Sequence, residues 1–132
     1  MGIVGYLLDT HTFLWAVSES YKLGSVGKQV MADSKVRIYV SAISAYEITN
    51  KYRLGKLPEY ENIAKNYLGI LHSFDAEELP ITSQHTDFAG KFDWTHRDPF
   101  DRILAAQATI ERLTLITNDN AFDTIPWVST LW

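Results

Sequence analysis

The chain has 132 residues, 46% of them hydrophobic and 13% aromatic, with a formal net charge of −4; that predicts one domain over residues 1–132 with a packed core, and excludes a disordered chain. It contains no cysteine, which rules out disulfides and thiolate zinc sites. Its apolar runs fall short of the ~20 residues that span a bilayer, and its start lacks the basic region and cleavage site of a secretory signal, so the expectation is a cytoplasmic domain without membrane contact. The negative charge argues against a large sequence-reading nucleic-acid interface but not against a nuclease, whose clustered metal-binding carboxylates themselves lower the total.

Along the chain, Ile3 to Leu8 is a continuous apolar run, the pattern of a strand covered on both faces. His11 to Val17 reads as a short helix entered through Thr10, and Ser25 to Ala32 as a second. Val36 to Val40 is a β-branched strand. Ser44 with Glu47 matches a capping box, which predicts a helix from about Ala42 to Tyr52 ending before Gly55. After Pro58, residues Tyr60, Ile63, Ala64, Tyr67, Leu68 and Leu71 recur at helical spacing as one apolar stripe, suited to core or dimer contact. Glu78 to Ile81 is a short strand whose Pro80 suggests a sheet edge. Thr82 or Ser83 caps a helix containing Phe88 and Ala89, and Asp98-Pro99 opens another as N-cap and first helical residue. Leu113 to Thr117 is a strand, and Trp127-Val128 is placed as the last. Strands alternating with helices predict an α/β fold, a three-layer α/β/α sandwich with a central parallel sheet.

Acidic residues stand at ends of these segments: Asp9 after the first strand, Glu47 on the helix after the second, Asp101 in the first turn of a late helix, and Asp119 after the strand ending at Thr117. The carboxyl ends of parallel strands share one rim, where these groups can converge. Crowded carboxylates repel, and a hard divalent cation such as Mg²⁺ relieves them. Each has a structural alternative. Asp9 is also an N-cap, Glu47 also part of a capping box, and Asp119 also a turn residue in Asn118-Asp119-Asn120. Asp98 is explained as a cap or as a group standing behind the ligands, and Thr117 as a hydroxyl bonded to a ligand carboxylate or a phosphate. Asp123 is a weaker alternative to Asp119. Lys51, Arg53 and Lys56 follow Glu47, and Arg97 and Arg102 flank Asp98 and Asp101; of these, Lys51, Arg53 and Arg102 are candidates to touch a substrate backbone, though such groups more often form a solvated face. The histidines His11, His72, His85 and His96 show no ligand spacing and read as surface or satisfied partial-core groups. No glycine-rich phosphate loop is present.

The stretches Leu7-Leu8-Asp9-Thr10-His11, Ser41-Ala42-Ile43-Ser44-Ala45-Tyr46-Glu47-Ile48, His96-Arg97-Asp98-Pro99-Phe100-Asp101-Arg102 with Ala105-Ala106-Gln107-Ala108, and Leu115-Ile116-Thr117-Asn118-Asp119 resemble PIN-domain proteins, in the order and spacing of VapC-type toxins of bacterial and archaeal toxin–antitoxin pairs. The resemblance implies a Mg²⁺- or Mn²⁺-dependent endoribonuclease with an acidic quartet at Asp9, Glu47, Asp101 and Asp119, Asp98 competing with Asp101 for the third place. It also implies a homodimer and a cognate antitoxin that covers the site. In the mechanism expected from it, Asp9 and Asp119 bind the metal directly, while Glu47 and Asp101 complete its surroundings or act through water. Two rivals are a catalytically inert PIN-fold binding protein and a Mg²⁺-dependent phosphatase of the haloacid dehalogenase type. The latter wants a second aspartate where this chain has His11.

Overall fold

The computed structural model describes residues 5–132. Strand β1 (Gly5–Leu8) lies in the middle of a five-stranded sheet, flanked on one side by β2 (Arg37–Ser41) and β3 (Glu77–Leu79) and on the other by β4 (Thr114–Ile116) and β5 (Thr130–Leu131). All neighbouring pairs are parallel. Ile3 and Val4 of the expected first strand lie outside the described residues. β3 is an edge strand as expected, but it ends at Leu79, so Pro80 and Ile81 lie beyond it and Pro80 withholds no N–H from the ladder.

Alternation along the strands sends successive side chains to opposite faces. Leu8, Val40 and Ile116 pack on one side with Phe13 and Leu14 of α1 (Thr10–Ser18), Ile48 of α3 (Ala42–Arg53), Ile63 of α4 (Glu61–Lys65) and Tyr67 and Leu71 of α5 (Tyr67–Ser73). Phe13 meets the edges of Tyr67 and Phe74 at ring distances of 5.7 and 5.6 Å. Leu7, Leu79 and Leu115 face the other way, onto Leu104, Ala105 and Ala108 of α7 (Pro99–Ile110), with Phe122, Ile125 and Val128 closing that layer. The small side chains of α7 let it lie close to the sheet. Helix α6 (Ser83–Lys91) packs on α7, and α2 (Ser25–Ala32) precedes β2. The result is the three-layer α/β/α sandwich.

Several local expectations change. Ser44 and Glu47 do not form a capping box: the N-cap of α3 is Ser41, whose hydroxyl accepts from the Ile43 N–H at 3.1 Å, and Ser44 lies inside the helix. The helix ends in a Schellman turn, with Gly55 at φ 78° donating to Tyr52 and the Lys56 N–H to Lys51. The apolar stripe after Pro58 is not one helix. It breaks at Asn66, whose side-chain amide donates to the Asn62 carbonyl at 2.9 Å and so offers the backbone an alternative to helix. Leu68, counted in that stripe, is 75% exposed. Trp127 and Val128 belong to a turn, and the last strand forms at residues 130–131, where the register pairs Leu115 with Thr130.

The chain steps from β1 outward to β2 and β3, then returns through α6 and α7 to β4 on the other side of β1. That reversal opens a crevice between the carboxyl ends of β1 and β4, the place where open α/β sheets take ligands.

Candidate metal centre

Asp9 sits at this crevice. Its N–H donates to the Ile116 carbonyl at the end of β4, its Oδ1 caps α1 by accepting from the Thr10 N–H at 2.7 Å, and its Oδ2 accepts from the Thr117 hydroxyl at 2.7 Å. The Thr117 oxygen in turn accepts from the Asp119 N–H at 3.0 Å. One hydroxyl therefore ties the two strand ends together. Beneath it, Thr10 and Ser44 share a buried hydrogen bond of 2.9 Å that locks α1 against α3.

Glu47 reaches the same rim from α3. It is 5% exposed; Oε2 accepts from Lys51 Nζ one turn later, and Oε1 is buried with no hydrogen-bond partner among the described residues. Helix α7 contributes the rest. Asp98 caps it, with Oδ1 accepting from the N–H groups of Phe100 and Asp101 at 2.8 and 3.2 Å. Asp101, in the first turn, has Oδ2 2.7 Å from His96 Nε2. Ligating atoms of His96, Asp98 and Asp101 all lie within 4.8 Å of one another.

The electrostatics report one pocket. Burial raises the Asp9 carboxyl above its usual range despite the hydrogen bonds from Thr117 and Thr10, and Glu47 adds to the rise. Asp101 is pushed up to about 7, first by burial and then by the charges of Asp98, Asp9 and Glu47, against the hydrogen bond to His96. Burial would lower the Lys51 ammonium, but its bond to Glu47 and the nearby Asp98 and Asp101 outweigh that and hold it above the ordinary lysine value. Oxygen-rich, negative and half-desolvated, the pocket has donor types suited to a hard divalent cation; among the described residues His96, Asp98 and Asp101 stand at mutual ligand spacing, while Asp9 and Glu47 are joined to them through charge, and the buried Oε1 of Glu47 has no partner there.

Comparison with protein families matches residues 6–128 to the PIN domain. The chain belongs to the PIN-domain family. Solved structures similar to it include VapBC2 of Rickettsia felis bound to a promoter DNA fragment (21% identity, TM-score 0.67, covering 97% of this chain and 98% of that one). A DNA-bound VapBC from Salmonella typhimurium has 18% identity, TM-score 0.68 and 97% coverage of both chains. A toxin–antitoxin complex from Klebsiella pneumoniae has 20% identity and TM-score 0.64, covering 95% of this chain and 96% of that one. Comparison with curated proteins finds no match.

In this PIN domain, Asp9, Glu47, Asp98 and Asp101 act on one another's charge, so residues separated by up to 92 positions share one rim. Asp119 stands at its edge: it is exposed, and its Oδ1 is spent on the Ala121 N–H at 2.9 Å, while its backbone is joined to Asp9 through Thr117. Of the basic candidates, Lys51 is in the pocket and Arg53 is exposed and bonded to Asn50. Arg102 is turned inward. Its guanidinium lies over Phe92 at 4.5 Å and donates to the carbonyls of Ala89, Phe92, Trp94 and His96, so it builds the loop before α7 rather than facing substrate.

Two contributors escaped the sequence reading. His96, read as a surface or satisfied partial-core group near the candidate ligands, packs on Trp94 at 4.7 Å and bonds Asp101; its position five residues before that acid was the signal. Ser44, taken as a cap, is a buried tie between helices.

Proposed function

We propose that this PIN domain is a metal-dependent endoribonuclease, the VapC-type toxin of a toxin–antitoxin pair, acting in the cytoplasm and neutralised by a cognate antitoxin. The observation that carries the reading is the convergence of Asp9, Glu47, Asp98 and Asp101 on one rim, with Glu47 Oε1 buried and unpartnered. Family membership adds support, as do similar folds in complexes named as toxin–antitoxin assemblies. A homodimer and an antitoxin partner belong to the same proposal. The family match leaves the phosphatase alternative without support.

A Mg²⁺ or Mn²⁺ ion, if held here, would lower the pKa of a water and offset charge on the phosphate oxygens. The chain's residues do the holding. Asp9, fixed by Thr117 and its own helix cap, Glu47 through Oε1, and Asp101 would carry the ion, with Asp98 beside them and Asp119 joining from the edge. His96 orients the Asp101 carboxylate, the role of a supporting hydrogen bond behind a ligand. Lys51 balances the pocket's charge.

The test is cleavage of a fluorescent hairpin RNA by purified protein in Mg²⁺ or Mn²⁺. Asp9→Asn is expected to lose at least ~100-fold of the rate while keeping its circular dichroism spectrum. Full activity in excess EDTA, or in Asp9→Asn, overturns the reading. Wild type that binds the RNA but never cuts it would point to the inert binding protein instead.

A further inference from the structure

Glu47 is the most deeply buried acid of the pocket, and its two oxygens are in different situations. Oε2 is held by Lys51; Oε1 is buried and free of partners among the described residues. Lys51 itself is partly buried, lies over the Phe100 ring at 5.6 Å, and is attracted by Asp98 and Asp101 across the gap between α3 and α7. A single ammonium thus stands where several carboxylates need compensation. A buried pair of this kind is stable only while both members remain, since removal of one leaves an uncompensated charge. The same ammonium, one carboxylate away from Oε1, repels any dication that arrives there.

Building on the reading that this pocket takes a divalent cation, we propose that Lys51 is its resident counter-cation: it neutralises Glu47 in the ion-free protein and, when a dication is bound, yields Oε2 while keeping its place over Phe100, from which it can donate to a phosphate oxygen. The free Oε1 gives an incoming ion a first oxygen before any existing bond is broken. The flexible four-carbon stem lets the charge move without rearranging α3, whose end is fixed by the turn at Gly55. At the mouth, Phe100 and the exposed Tyr46, 5.7 Å apart, offer aromatic faces on which an ammonium is favoured. Lys51 is therefore a positioning residue, acting on the metal pocket through Glu47.

The experiment is Mn²⁺ titration of the ion-free full chain, following the free-ion signal by electron paramagnetic resonance, together with melting curves. Lys51→Met is expected to bind Mn²⁺ about tenfold more tightly or better, because a repelling charge is gone, while its ion-free melting temperature falls below wild type and saturating Mn²⁺ closes the gap. Lys51→Arg, which keeps the charge, should bind no more tightly than wild type. Unchanged or weaker Mn²⁺ binding by Lys51→Met overturns the inference. Glu47→Gln separates this from failure of the metal reading. If Glu47→Gln binds Mn²⁺ as well as wild type, or wild type binds none, the metal pocket itself is wrong; if Glu47→Gln weakens binding but Lys51→Met does not tighten it, only the role of Lys51 falls. Should Lys51→Met fail to fold without ion, Mn²⁺ must restore folding and the double variant Lys51→Met, Glu47→Gln must fold; failure of either also overturns the inference.

Discussion

Asp101 carries the clearest consequence of crowding. Its carboxyl rises from about 3.8 to about 7 on folding because it is buried among Asp98, Asp9 and Glu47, with His96 opposing. Between those values the folded chain binds more protons than the unfolded one, so stability falls as pH rises from about 4 to about 7, and the protonated form is the one that folding favours. Ion-free protein is therefore expected to melt higher at pH 5.5 than at pH 8. Asp101→Asn should remove most of that slope and stabilise the protein at pH 8 by on the order of 1–3 kcal/mol, measured by urea unfolding in EDTA. A wild-type profile that rises toward pH 8 would contradict it. Thr117 offers a second residue-level check, since its hydroxyl serves both Asp9 and the amide of Asp119. Thr117→Val should cost about 1 kcal/mol of stability, as for a typical lost hydrogen bond. Cleavage should slow by roughly 10–100-fold, the usual cost of removing a group that orients a ligand.

The late helix α7 and the loop that leads into it show what an element adds beyond its residues. Asp98-Pro99 announces the start of α7 in the sequence, and the structure places that start there because Asp98 accepts from two otherwise unpaired N–H groups. The loop from residue 92 to 98 carried no such signal. Its path is set by Arg102 bonding carbonyls 6 to 13 residues earlier, a pattern without periodicity, and only that path brings His96 back to Asp101. Glu47 has the same history: α3 was legible from the Ser44 and Glu47 spacing and the stop at Gly55, but that spacing is not a cap, because Ser41 takes the cap and leaves Glu47 as a buried group. Arg102→Ala should leave those carbonyls unpaired and destabilise the domain by about 2–4 kcal/mol. Limited proteolysis should then cut first between residues 92 and 97; a variant as stable and as resistant as wild type would show that the loop holds itself.

At the scale of the whole molecule, the site follows from strand order. Because β4 returns beside β1 after the excursion to β3, Asp9 and Thr117 meet although 108 residues separate them, and α3 and α7, which pack on opposite faces of the sheet, bring Glu47 and Asp101 to the same end. Alternating strands and helices made the layers legible, whereas the meeting of the acids required the topological reversal, which no local pattern contains. Gathering them costs stability, since Asp9 and Asp101 are both held above their ordinary range by burial and mutual charge. A dication held by the folded arrangement and not by the scattered carboxylates of the unfolded chain would, at a concentration ~100 times its dissociation constant, stabilise by about 2.7 kcal/mol. For a domain of this size that is roughly 8–15 °C in Tm. Glu47→Gln should start from a changed ion-free Tm and lose most of the increment, because it removes the charge from a buried carboxylate whose Oε1 has no partner among the described residues. Differential scanning calorimetry in EDTA and then in millimolar Mn²⁺ decides this: equal increments in wild type and Glu47→Gln would mean that the ion acts elsewhere on the surface, and that the convergence of strand ends serves the fold alone.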